Sequence, residues 1–187
     1  MAEGGLVMEV AGAYLEETIA RYRGLKGQAD DAMAQLSDEQ LHASPGEESN
    51  SIAVIVKHLA GNYRSRFTDF LTTDGEKPSR DRDGEFEDDD LGREALLASW
   101  EDGWRVLLAA LDALQPGDLL RTVTIRGEPH TVLQAVQRSV THAAGHVGQI
   151  VYLAKLLKGS EWVTLSIPRG KSREFEAEFR RNFARNT

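Results

Sequence analysis

Apolar side chains return at helical spacings along four separate stretches of the chain, while a strand-like alternation occurs in one short stretch alone. That periodicity restricts the chain to helices packed through their apolar faces. The first stretch runs from about Val10 to Leu36, with Tyr14, Ile19, Tyr22, Leu25, Ala29 and Met33 mostly three to five apart. Gly24 and Gly27 weaken it slightly. "ASPGEESNS" then reads as a loop, and Asn50 or Ser51 stands where it can cap a second helix reaching about Leu71. Its face is Ile52, Ile55, Val56, Leu59, Tyr63, Phe67 and Phe70. A third helix is expected from about Asp90 to Leu114, burying Leu96, Leu97, Trp100, Trp104, Leu107, Leu108 and Leu111 and stopped at "QPGD". The fourth opens with Thr131 and Gln134 in a capping-box arrangement and runs to about Lys158, closed by Gly159.

The connections complete the architecture. "TTDGEKPSRDRDGEFEDDD", residues 72–90, is too long and too charged for a tight turn and is expected to carry the chain across the bundle. "RTVTIRGEPHTV" alternates around Arg126 and Gly127, the pattern of a minimal hairpin. Past Gly159, Phe175, Phe179 and Phe183 form a narrow stripe on a C-terminal helix. The expected fold is all-α: one domain over residues 1–187, a four-helix bundle with a long crossover, a short β-hairpin before the last bundle helix and a C-terminal helix.

Charge and composition remove several classes of function. The 22 basic and 30 acidic residues leave a formal net charge of -8, which disfavours binding nucleic acid through phosphate neutralisation. The opening "MAEGGLVMEVAGAYLEET" has no basic segment before its apolar residues, so neither a secretory signal nor a membrane anchor is expected, and a cytoplasmic location is. With no cysteine, disulfides and a thiol nucleophile from the chain are excluded. "PRGKS" lacks the first glycine of a phosphate loop, because Leu165 stands at that place, six positions before Lys171.

What remains unexplained is "SVTHAAGHVGQIVYLAKLLKG", where His142 and His146 interrupt an apolar helical run. Four residues on a helix bring two side chains to one side, one turn apart, which is metal-chelating spacing. Ser139, His142, His146 and Gln149 form a polar strip along the apolar face, and on the second helix His58 lies beside Ile55 and Leu59 with Asn62 one turn on. Three neutral imidazoles suit zinc, nickel, iron or copper, and with no fourth protein ligand they leave a position for water or substrate. Paired histidines that simply hydrogen bond would show the same spacing.

The histidine inside "VIVKHLAGNYRSRF", followed by "THAAGHVGQI" with a crossover and hairpin between, resembles the DinB/YfiT-like superfamily of metal-dependent enzymes over nearly the whole chain. "GNYRSRFTDFLTTDGEKPSRDRDGEF" and "IPRGKSREFE" look like a bacterial branch of it that has no assigned reaction. The resemblance implies that His58, His142 and His146 match the three metal-binding histidines, holding a divalent ion, nickel or zinc, with waters. It further implies a hydrolase or a transferase of low-molecular-weight thiols, a small-molecule substrate or thiol as partner, and a homodimer. The alternative is a non-catalytic dimeric bundle acting as a stress-linked binding or interaction protein.

Lesser candidates follow from position. Gln149 and Asn62 could orient ligands or substrate, Glu128 could serve as a general base, and Arg64, Arg66 and Arg82 could bind carboxylates of a thiol cofactor or substrate. His130 precedes the cap of the fourth helix and falls outside the triad, and His42 reads as a loop residue.

Overall fold

Thr131 starts the last bundle helix as the sequence demands: its hydroxyl accepts the Gln134 backbone N–H, and the Gln134 side chain accepts the Thr131 N–H in return. The computed structural model describes residues 2–185. Its helices are α1 (Ala2–Met33), α2 (Asp38–His42), α3 (Ile52–Phe67), α4 (Arg93–Asp112), α5 (Val132–Lys158) and α6 (Ser172–Arg185). The two strands, β1 (Thr122–Ile125) and β2 (Glu128–Thr131), pair antiparallel, with Val123 opposite His130. The fold is therefore all-α with one hairpin before α5.

The bundle pairs α3 with α4 and α1 with α5, and α3 also meets α5. One connected core includes Tyr22 of α1, Leu59 and Tyr63 of α3, Trp100 and Trp104 of α4, and Val147 and Ile150 of α5. Trp104 packs edge-on against Tyr63 at 4.9 Å and Trp100 at 5.3 Å between ring centroids. Helices α3 and α4 approach so closely that a Cβ on Gly103 would stand 2.6 Å from the Ala60 Cα. A glycine is what that crossing requires.

Several boundaries differ from expectation. Helix α1 begins at Ala2, because residues 2–9 contain no proline and the two glycines there only weaken the helix. Helix α3 ends at Phe67 because Asp69 adopts φ 49, a left-handed turn that an aspartate tolerates, yet Phe70 beyond it is still buried against Phe67. Helix α2 was not foreseen, although Ser37 and Gln40 form a full capping box before it. Phe175 and Phe179 lie exposed on α6, and the side chain of Phe183 falls outside the described residues.

The crossover, residues 72–90, packs on the bundle. Gly75 donates its N–H to the Thr124 carbonyl of β1 at 2.8 Å. The Asp74 carboxylate accepts the backbone N–H groups of Arg126 and Gly127, both 2.8 Å away, and so holds the hairpin turn. Those two residues have φ 57 and 75, the positive pair of a type I′ turn. A single helical turn, Gly84–Phe86, then presses on α3. No helix among the described residues is long and apolar enough to cross a membrane.

Candidate metal centre

Residues 58, 62 and 66 recur four apart on α3, as do residues 138, 142 and 146 on α5, so each triplet projects from one side of its helix. The packing of α3 on α5 turns these sides toward one another. His58 of α3 meets His142 and His146 of α5, with ring centroids 5.1 and 5.0 Å away, and the α5 rings are 4.5 Å apart. One ligand nitrogen from each of the three falls within 4.8 Å of the others. His58 Nε2 and His142 Nε2 are 3.1 Å apart. Nitrogens bound about 2.0–2.1 Å from a tetrahedral ion stand about 3.4 Å apart, so small side-chain rotations bring the set to that geometry.

Proton placement also fits a metal. His58 donates Nδ1–H to the Glu85 carboxylate at 3.0 Å, which leaves the Nε2 lone pair facing the other two rings. His146 Nδ1–H donates to Gln149 Oε1 at 2.9 Å, leaving its Nε2 as the acceptor nitrogen. Carboxylate or amide support of the outer nitrogen is the usual arrangement behind a metal-binding histidine. For His142, burial foremost, then the neighbouring His146 and His58, push the imidazole down to about 4. Its ring is neutral at pH 7, as a ligand must be. Burial lowers His146 too, against the opposing bond from Gln149.

Glu85 is 8 % exposed and does not stand alone. Arg80 donates Nε–H to its Oε1 at 2.8 Å and an Nη2 hydrogen to its Oε2 at 2.7 Å, a bidentate pair whose arginine side chain is 4 % exposed. Burial alone would raise the Glu85 carboxyl, but the bonds from Arg80 and His58 outweigh it and hold the group below its ordinary range. Arg80, Glu85 and His58 thus form a buried chain ending at the ring cluster.

The cluster lies in the wall of a cavity of about 320 Å³ whose other walls come from α3, α5, the crossover and the hairpin. Asn62 lines it, one turn along from His58. Arg66 and Arg82 line it as well: Arg66 is bonded to Glu76 at 2.9 Å, and Arg82 lies 5.4 Å from the Phe86 ring centroid. Arg64 points elsewhere, to Ser99 and Asp102 of α4. Glu128 is exposed at the hairpin and is not part of the cavity wall, and Gln149 contacts the cluster from behind His146. His130 lies on β2 outside the ring cluster. His42, expected in a loop, ends α2 and bonds Asp88 and the Leu91 carbonyl.

Arg80, Glu85 and Arg138 escaped the sequence reading. Nothing local marks Glu85 among the acids of residues 81–90, although Phe86, the lone apolar residue between 72 and 90, hinted that this segment docks. Arg138 was legible by spacing, one turn before His142.

A family profile described as "Protein of unknown function (DUF1572)" matches residues 9–171, taking in all three histidines, the crossover and the hairpin. The chain belongs to the DUF1572 family. Comparison with curated proteins finds no match. In this DUF1572 chain, then, the functional reading rests on the cluster itself: three histidines close enough together to bind a metal.

Proposed function

We propose that this protein is a metal-dependent enzyme of the DinB/YfiT-like type, a hydrolase or a transferase of low-molecular-weight thiols acting on a small molecule. His58, His142 and His146 hold a divalent ion, nickel or zinc. The observation that carries the reading is the convergence of three imidazoles from two helices on a cavity wall, two of them with their outer nitrogens already tied to Glu85 and Gln149. Such an ion lowers the pKa of a water or thiol that joins it and so makes a nucleophile near neutral pH.

The chain's own residues divide the remaining work. Arg80 fixes Glu85, and Glu85 keeps the His58 proton on Nδ1. Gln149 does the same for His146. Asn62 offers its amide to a substrate in the cavity, while Phe67, Phe70 and Ile125 keep that side of it dry. The homodimer belongs to the same proposal. It is supported by exposed apolar side chains on α1 (Leu6, Val7, Val10), α5 (Tyr152, Leu156) and α6 (Phe175, Phe179), which association would cover.

Elemental analysis of the purified protein tests the centre directly. Wild type is expected to carry stoichiometric divalent metal, and His142→Ala to lose most of it. If wild type holds none, as purified or after reconstitution, the enzymatic reading fails and the bundle acts as a binding protein.

A further inference from the structure

The wall of the cavity beside the three histidines contains five arginines, Arg66, Arg80, Arg82, Arg126 and Arg138, and not one carboxylate. This is a chain whose formal net charge is -8. Two glutamates behind the wall offset part of that charge. Glu76 receives Arg66 at 2.9 Å and Arg126 at 3.0 Å, and Glu85 receives Arg80. Arg82 and Arg138 have no carboxylate within salt-bridge distance among the described residues; Arg82 instead lies over Phe86, whose ring is 4.7 Å from that of His58. Two arginines of the wall, both exposed to solvent, thus stand at the cavity without a carboxylate partner.

Position adds a length to this charge. Arg138 precedes His142 by one helical turn on α5, about 6 Å of rise, and Phe67, Phe70, Ile125 and Ala135 supply the apolar part of the wall. At about 320 Å³ the space lies at the small end of ligand pockets.

We propose that the cavity takes a small organic anion. Its carboxylate or phosphate is held by Arg138, with Arg82 adding attraction, and its apolar body lies along the phenylalanines so that the rest of the molecule reaches the histidines. The proposal names the substrate class of the site described above and rests on that site being the reaction chamber. An uncharged substrate would leave two unpaired arginines with no role in binding.

Calorimetric titration of the full chain with phenylacetate, phenyl phosphate and the uncharged phenylacetamide tests this, with metal-free and metal-loaded protein run in parallel. The metal-free arm removes direct ligation of the probe by the ion, so the result stands whether or not the protein proves to hold metal. One or both anions are expected to bind metal-free protein at least about tenfold more tightly than phenylacetamide, and about tenfold more weakly to Arg138→Gln. Arg82→Gln, a change at an exposed residue on a different segment, is expected to weaken the same anion, and added salt to weaken it further. Preference for phenylacetate marks a carboxylic acid substrate, and preference for phenyl phosphate a phosphate ester. Equal binding of phenylacetamide, no saturable binding of either anion, or anion binding untouched by both substitutions overturns the proposal while leaving the histidine centre standing.

Discussion

The Glu85 carboxylate occupies the space beside Gly61 that a Cβ on that residue would fill. Glu85 reaches His58 over the bare backbone of α3, three residues further along the helix than the ring it supports. A glycine in a helix interior usually costs stability relative to alanine. At this position it makes room for a buried charge.

Gly61→Ala is therefore expected to push Glu85 off the His58 ring. We predict a loss of about 1–3 kcal/mol in stability and a weakening of metal binding by about 10–100-fold. Denaturant unfolding and competitive metal titration measure the two. Gly24→Ala is the contrasting case, since a Cβ there meets open space on α1, and it should stabilise by about 0.5–1 kcal/mol. Equal effects of the two substitutions would remove the role assigned to Gly61.

Glu85→Gln keeps the shape of the side chain and removes its charge. Arg80, 4 % exposed, is then left without its bidentate partner. Breaking a buried pair costs up to about 3–5 kcal/mol, and the loss is reduced here because Arg80 keeps Glu76 at 3.5 Å. The midpoint of urea unfolding should fall accordingly, and an unchanged midpoint would mean that the pair contributes nothing to folding.

Gly103→Ala probes the crossing of α3 on α4. Its new Cβ meets backbone, the Ala60 Cα at 2.6 Å, which no side-chain rotation can relieve. We expect a loss of at least about 1–3 kcal/mol from overpacking. Because α3 carries His58, metal binding should weaken in parallel; a variant as stable as wild type would show that the helices separate freely.

Asp74 sets a pH dependence. Backbone N–H bonds, first from Glu76 and then from Gly127, with Arg126 also contributing, hold its carboxyl well below the usual carboxylate range. A group depressed on folding stabilises fully above its unfolded value, about pH 4, and that contribution is lost as pH falls through the folded value. Asp74→Asn should therefore be less stable than wild type near neutrality, with the gap narrowing below about pH 4. Urea midpoints across the acid range check it, and a gap of constant size would exclude the carboxylate as its source.

Local rules were sufficient for much of the molecule. Helical spacing located the four main helices, the Thr131 and Gln134 pair placed the start of α5, and Arg126-Gly127 marked the hairpin turn, because each depends on residues within a few positions of one another. The same rule put His142 and His146 on one side of α5. Spacing could not say that His58, eighty-four residues before His142, would meet them, since the register of α3 on α5 is set by packing summed over the whole core. Nor could it single out Glu85 in a run of acids that reads as solvated. Whether that carboxylate is buried depends on Arg80 to neutralise it, on Gly61 to admit it and on His58 to bond it, and only the folded chain brings the three together.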